Sequence, residues 1–557
     1  MKKIILLILF LNALCAKSQS YQWTKSFANA SPTSYSYTRG IKTDSQGNTY
    51  SFGSNQGTAD LDPSPTVFNI AAGYYLLKLD HDGNFVWAKE VGDINIVSLN
   101  IDNNGDLLLT GVFNGVADFD FGVNEFLLNA GNPSGNIFVL KLNSNGDFIW
   151  AKNYGGIGID GGTTILYDSN NNVIVSGIFG YTVDFSSGLG TQIFNANQGG
   201  GFCLKLSPNG DLIWVKQITG YKIYVENSAI DSNDNIYLCG SFGESINYVV
   251  NGIPTSIPNY DGSSYYNDGF IQKINSQGDT TWAYTIRGNN SDVVNCLSVD
   301  TNNNLIAYGH QGLSTIDYNP SSQVNTIPAN SYHFVLKFDA NQNFSWVKGI
   351  GGNANRCFDL KVDNNNNSIS VLGSFSGQVS FDPGSGLGIP NVSGSGYDNI
   401  FILNLDSNGN YNWGTYQVIN ASNFIAKMDI NNSNLYVTSS FRNISDFNPL
   451  STHDYITSSG QSDNYISKFN IGNLTTSSFN KSKVYLFNNP VENILQLSFD
   501  SEGTKEIQVY NSLGIMLETK SISSDFIAIN TANYPSGVYF VKCKIDTEEQ
   551  TIKVVKK

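Results

Sequence analysis

Along most of the chain, apolar positions alternate with polar ones in short runs bounded by Gly, Asn, Asp and Ser, the period of half-buried strands joined by tight turns. Phe138-Val-Leu-Lys-Leu142 is one such run. The turn Asn143-Ser-Asn-Gly146 follows, and then a second run, Asp147-Phe-Ile-Trp-Ala-Lys152. The same phrase returns over 75–89, 202–216, 270–284, 334–348 and 401–414. It carries the seven Trp of the chain, Trp23, Trp87, Trp150, Trp214, Trp282, Trp346 and Trp413, spaced 64, 63, 64, 68, 64 and 67 residues apart. A second phrase accompanies it in each period: an Asp, a few turn-forming residues, then a strand ending near Gly and Phe. Its Asp residues are Asp44, Asp102, Asp168, Asp231, Asp300, Asp363 and Asp429. Asp and Asn side chains bond their own backbone and tolerate left-handed conformations, so each Asp phrase predicts a hairpin.

Each period therefore predicts four short antiparallel strands, two around the Asp turn and two around the Gly turn. Such a unit repeated seven times predicts a propeller with one blade per period. The ends fit the same count. The last period stops after Tyr465-Ile-Ser-Lys-Phe469 with no Trp strand, and Tyr21-Gln-Trp-Thr-Lys25 is a Trp strand with nothing before it. Pairing the two would complete the seventh blade and remove two exposed edges.

Composition agrees with an all-β chain: 54 Gly, 13% aromatic and only 14% charged residues. The formal charge is −15, and basic and acidic residues balance at nine each from Lys481 onward, so the excess negative charge lies in the repeats. That disfavours nucleic acid and anionic membrane surfaces as partners and leaves divalent cations, cationic partners and neutral glycans open. Met1-Lys2-Lys3 and the apolar run Ile4 to Leu11 predict a secretory signal peptide over 1–18, with cleavage before Gln19. Leu14 is bulky where a lipobox before Cys15 needs a small residue, and no later segment is apolar enough to span a membrane. Cys203, Cys239, Cys296, Cys357 and Cys543 fall inside predicted strands without CxxC spacing. They read as buried free thiols, with one strand-to-strand disulfide as the alternative.

The repeated units, with acidic phrases such as Phe381-Asp382-Pro and Trp phrases such as Phe334 to Lys348, resemble the β-propeller repeats common in secreted proteins of the Bacteroidetes. After a Ser/Thr/Asn-rich linker, the last residues alternate as strands of a small sandwich. Leu486-Phe-Asn-Asn-Pro490, Val509-Tyr-Asn-Ser-Leu-Gly514, Tyr534-Pro-Ser-Gly-Val-Tyr539 and Lys553-Val-Val-Lys-Lys557 resemble the type A C-terminal sorting domain of type IX secretion cargo. Phe487-Asn-Asn-Pro departs mildly from the Tyr-Pro-Asn-Pro usual in that family. The resemblance implies Pro490, Gly514, Gly537, Lys553, Lys556 and Lys557 as sorting-signal residues, the type IX machinery as partner, and a secreted or outer-surface location. The expected organisation is a signal peptide over 1–18, a seven-bladed β-propeller over 19–473, a linker over 474–481 and a small immunoglobulin-like β-sandwich over 482–557.

Candidate chemistry is sparse. Most periods carry an acidic phrase between their second and third strands: Asp60-Leu-Asp62, Asp118-Phe-Asp120, Asp184, Asp317, Asp382 and Asp446. Asp60, Asp62, Asp118 and Asp120 are candidate Ca²⁺ ligands, against the simpler reading of turns whose Asp accepts backbone hydrogen bonds. The fourth period has Ile246-Asn247 instead and carries an irregular insert, Tyr260-Asp-Gly-Ser-Ser-Tyr265-Tyr266. An insert that breaks the symmetry of a repeat makes Tyr260, Tyr265 and Tyr266 candidate ligand contacts. His310 joins them as the odd residue after a strand-ending Gly. The four His, His81, His310, His333 and His453, fall in different phases of the repeat, so the fold need not gather them. No nucleophile elbow, zinc helix, phosphate loop or dinucleotide fingerprint is present, and no catalytic residue is assigned. The pattern points to a binding module for a glycan or protein. A polysaccharide hydrolase or lyase using carboxylates on the propeller face, and a structural spacer or adhesin component, are the alternatives.

Overall fold

The computed structural model describes residues 20–131, 133–186, 192–196, 198–250, 252–260, 262, 265–312, 315–382, 387–389, 398–421, 424–449, 453–471, 484–486, 491–499, 504–511, 515–545 and 548–557. The expected signal peptide and the expected linker lie outside them. All helical or extended structure in this range is β. The chain divides into two compact units, Met1–Asn473 and Leu474–Lys557.

The first unit is a propeller. Its described strands pair into seven four-stranded antiparallel blades. Blade one, Ser36–Thr43, Thr49–Asn55, Gly73–Leu79 and Phe85–Gly92, sets the pattern. Blade four, Tyr224–Ile230, Ile236–Phe242, Asp268–Ile274 and Thr280–Ile286, repeats it. The outer strand of blade five and the inner strand of blade six are one run, Phe344–Asp363. Each inner strand lies against the next, and that of blade seven, Lys427–Asn431, lies against that of blade one. The missing outer strand of blade seven is Ser20–Phe27, paired antiparallel with Asp463–Asn470 from Tyr21↔Phe469 to Phe27↔Asn464. Middle strands such as Asn136–Leu142 and Gly200–Leu206 are buried at every residue, because the neighbouring blades cover both of their faces.

Three contacts repeat around the ring, two between blades and one within a blade. The outer-strand Trp and the Lys two residues on pack over the turn Gly of the next blade: Trp87 and Lys89 on Gly146, Trp150 and Lys152 on Gly210. The indole nitrogens of Trp150 and Trp214 donate to the Pro208 and Ser276 carbonyls at 3.0 and 3.1 Å. On the Asp turns, a left-handed residue of one blade caps the turn of the blade before it. Asn171 (φ 59°) accepts from Asn103 N, Asp234 (φ 61°) from Ser169 N, and Asn303 (φ 61°) from Ser232 N. Within a blade, the third-strand Lys reaches the turn Asp, as in Lys141–Asp102 and Lys205–Asp168 at 2.8 Å and Lys337–Asp300 at 3.0 Å. These pairs are almost wholly buried.

Blade seven corrects one reading. Asp429 does not sit at the hairpin turn; Asn431 does, closing on Asn434 through Asn432 and Ser433, both at positive φ. The Asp429 carboxylate instead crosses the seam to blade one and accepts from Thr43 N at 2.9 Å and Thr43 Oγ1 at 2.7 Å.

The second unit has two sheets over one apolar cluster. Leu495, Leu497 and Ile529 come from one sheet, and Ile507, Val509, Val541 and Val554 from the other. The cysteines Cys203, Cys239, Cys296, Cys357 and Cys543 are free thiols, all buried except the half-buried Cys357.

A bulge in the inner strand lets successive residues face the channel. In blade four it falls between Val225 and Asn227, opposite Gly240, and a Cβ on Gly240 would meet the Tyr224 carbonyl oxygen. A backbone oxygen cannot retreat as a side-chain tip can. Gly240→Ala is expected to destabilise the protein by about 2 kcal/mol, read as a lowered denaturation midpoint; unchanged stability would show that the bulge is dispensable.

Candidate functional site

The inner strands surround a channel, and a cavity of about 920 Å³ opens into it. The bulges place Arg39, Val97, Thr163 and Glu226 on its wall, with Lys42, Lys361, Lys427 and Asp429 on the side of blades six, seven and one. The lysines there have partners. Lys361 meets Asp359 at 2.8 Å and Lys42 meets Asp429 at 3.3 Å, while Lys427 Nζ donates to the Phe358 carbonyl at 3.0 Å. Burial pushes the Asp359 carboxyl up, but Lys361 and Lys427 overcome it and hold the group below its ordinary range. Burial pulls Lys361 down, and Asp359 and Asp429 more than reverse it. Water reaches Glu226, but the surrounding channel wall raises its carboxyl pKa against the opposing field of Lys427.

The histidines correct a second reading. His310 and His333 are register partners on adjacent strands of blade five. His310 Nδ1 bonds Asn295 Oδ1 at 3.0 Å, and His333 Nδ1 bonds the Tyr308 hydroxyl at 3.0 Å. Burial lowers both pKa values, that of His333 to about 3, so the buried ring is neutral at physiological pH.

The acidic phrases are loop staples. Asp60 Oδ1 accepts from Asp62 N and Phe68 N at 3.1 and 2.8 Å; Asp118 Oδ1 accepts from Asp120 N and Phe126 N at 3.0 and 2.8 Å. Asp62 and Asp120 each cap the residue two further on. Among the described residues no group of three or more His, Cys, Asp or Glu could hold a metal ion. Tyr260, Tyr265 and Tyr266 stand out from blade four with 59%, 90% and 40% of their surfaces exposed. The rings of Tyr265 and Tyr266 meet edge-on at 6.4 Å. They are not part of the channel lining, so the structure does not bring the tyrosines to the channel charges. Of the sorting-signal residues, Pro490 and Gly514 lie outside the described residues. Gly537 opens the strand Gly537–Ile545 at φ 157° and pairs with Lys556, Lys553 pairs with Phe540, and Lys557 N donates to the Val491 carbonyl at 2.9 Å.

Two buried carboxylates escaped the sequence reading. Asp160 accepts from Gly156 N and Gly180 N, and Asp292 Oδ1 accepts from Gly312 N at 3.0 Å. The matching Gly positions, four before and twenty after each Asp, were the available signal. Burial raises Asp160 to about 6 and, with the nearby charge of Asp268, Asp292 to about 8.

Residues 485–557 match the family described as the secretion system C-terminal sorting domain. That tail marks the protein for export by the type IX system, to the exterior or the cell surface. A 242-residue stretch, 38% of this chain, is 24% identical to an uncharacterized WD repeat-containing protein, L264, of Acanthamoeba polyphaga mimivirus, and covers only 17% of that relative. Among solved structures, PorZ, described as an essential surface component of the type-IX secretion system of Porphyromonas gingivalis, is similar at 11% identity and a TM-score of 0.23, with 93% of this chain and 81% of that one covered. The Dos1 propeller is similar at 9% identity and a TM-score of 0.37, over 79% and 78%. A Bacteroides caccae protein of unknown function is similar at 12% and 0.29, over 56% and 81%. Likenesses this loose bear on neither ligand nor activity. No helix among the described residues is long and apolar enough to cross a membrane.

Because Asp292 is raised in the folded state, folding favours its protonated form. The stabilisation is complete below the unfolded value near 4 and is lost as pH rises toward 8. Asp292→Asn keeps an acceptor for Gly312 N and removes the charge. Its melting temperature is expected to exceed wild type by roughly 5 °C at pH 9 and to match it at pH 4; equal pH profiles would refute the assignment.

Proposed function

We propose that this secreted propeller is a binding module, for a glycan or a protein, that meets its ligand on the connection between the second and third strands of blade four. The observation that carries this reading is the exposure of Tyr260, Tyr265 and Tyr266 at the one blade whose loop departs from the acidic pattern. Half-exposed aromatic rings offer an apolar face and a polar tip together, which suits the C–H faces and hydroxyls of sugars and equally the centre of a protein interface. The channel lysines support the same reading, since Lys42, Lys361 and Lys427 each already have a partner in the wall. Export to the cell exterior places such a module among glycans and surface proteins.

Glu226 favours one second reading, a polysaccharide-acting enzyme, because a carboxyl raised by its surroundings is the property of a general acid. Release of reducing ends that disappears in Glu226→Gln would establish it over binding alone.

For the leading reading, the full mature chain is expected to be retained saturably on at least one insoluble polysaccharide of a panel, or on isolated cell-surface protein. Tyr260→Ala/Tyr265→Ala should weaken retention by about tenfold without moving the melting temperature. Retention unchanged by the substitutions would displace the site from this insert.

A further inference from the structure

The seven blades serve as controls for one another, and blade four differs from most of its sisters in four features that surround one cleft. The hairpin between its second and third strands, Ser245–Val250 with Ile253–Pro258, has six residues in each strand, where the hairpins of blades two, three and seven have three. Asn247 occupies the place held by Asp184 and Asp446: it pairs with the outer strand of the preceding blade, at Thr219, as they pair at Gly155 and Val418. Gln272 stands where the third strands of other blades carry Leu77, Leu140, Leu204, Leu336 and Leu403. Thr280 stands where Phe85 and Phe148 pack against loop residues Phe68 and Phe126, with ring centroids 4.8 and 4.6 Å apart. Thr281 follows it, where blades one, two and three carry Val86, Ile149 and Ile213 and blades five, six and seven carry Ser345, Asn412 and Gln22.

These substitutions remove an apolar plug and leave a cleft of about 900 Å³ between the outer strand of blade three and blade four. Among the residues that line it, three buried polar atoms have no hydrogen-bond partner among the described groups: the Tyr248 hydroxyl, Gln272 Oε1 and Thr281 Oγ1. Tyr248 and Gln272 are 3% and 6% exposed. Gln272 is held in place by its other end, where Nε2 donates to Thr280 Oγ1 at 2.7 Å. Burying a polar group at the Gln272 position, where five sisters carry Leu and only blade seven carries a polar residue, Ser467, destabilises the blade by about 1–3 kcal/mol for each group left unsatisfied. The repeat gives blade four a ready apolar solution, and it does not use it. The charged groups at the cleft, Lys216 and Asp279, face one another at 3.5 Å, so the interior presents amides and hydroxyls beside apolar walls.

From this we infer that the cleft between blades three and four is a binding site for a neutral saccharide. Sugar hydroxyls can donate to Gln272 Oε1 and both donate to and accept from Tyr248 and Thr281, while Val249 and Pro254 offer contact for C–H faces. An anionic ligand would gain nothing from a wall whose cation is already paired. The inference deepens the glycan branch of the binding reading above and rests on it, but its site is separate from the exposed tyrosines.

The test is calorimetric titration of the full mature chain with neutral gluco-, manno-, galacto- and xylo-oligosaccharides. Gln272→Leu/Thr280→Phe/Thr281→Ile gives blade four the residues of blade two, Leu140, Phe148 and Ile149. Saturable binding of at least one oligosaccharide by wild type is expected, weakened at least tenfold in this variant, whose melting temperature should equal or exceed wild type. Thr281→Val, which keeps the side-chain shape, should weaken binding about threefold and guards against misfolding of the triple variant. Equal affinity in wild type and both variants overturns the cleft and leaves the glycan reading standing. So does insoluble-polysaccharide retention with no soluble binding. Tighter binding of uronic-acid oligosaccharides, or of an extended peptide along Ile253–Pro258, overturns the ligand class. Binding of no glycan in either assay overturns both.

Discussion

A propeller has no central core that all its strands share; each blade is stable because the next one covers its face, and the last must be covered by the first. The ring therefore depends on its seam. Here the seam is made by strand pairing, Ser20–Phe27 against Asp463–Asn470, and by side chains that cross it: Thr38 Oγ1 to Thr438 Oγ1 at 2.9 Å, Asp429 to Thr43, and Asn464 Nδ2 to the Tyr75 hydroxyl at 2.8 Å. Trp23, on the closing strand, packs on Gly83 of blade one as every other turn-packing Trp packs on its neighbour. The seam is thus built from the same contacts as the rest of the ring, supplied from opposite ends of the unit. Opening it would expose two strand edges and the apolar faces of two blades at once.

Repetition makes those contacts cheap to specify. A Trp, a turn Gly and a turn Asp at constant spacing meet their counterparts in the next blade automatically, because one rotation generates all the interfaces. Where the partner does not exist, the pattern bends. Blade seven has no Gly turn between its third and outer strands, since those strands come from the two ends, and Trp413, which would face that turn, is the buried Trp, with 6% of its surface exposed.

Periodic features were legible in the sequence for the same reason. The Trp spacing and the strand alternation led to the four-stranded unit, and the split last period led to closure by the N-terminal strand. Single residues were read less well. Asp429 resembles the other turn Asp in sequence, but a two-residue turn at Asn432 and Ser433 shifts it off the loop and onto the seam. His310 and His333 are separated by a long connection, so their register depends on a strand pairing that sequence distance hides. The third-strand Lys alternates as a solvent-facing residue would; only the adjacent blade and the turn Asp turn it into a buried ion pair. Gln272 and Thr280 look unremarkable in a strand until register sets them beside Leu and Phe in the sister blades.

This difference bears on where function can sit. Contacts that recur around the ring are explained by assembly: the acidic staples, the Asn caps and the paired lysines all have partners within it. Blade four is where a long hairpin, exposed tyrosines and a buried amide replace the repeated solution. A repeat protein under selection for stability alone has no reason to keep one blade less well filled than its neighbours, because Leu at the place of Gln272 with an apolar residue at the place of Thr280 is already present in five other blades. The cost borne by that blade is the physical argument that it does something its sisters do not.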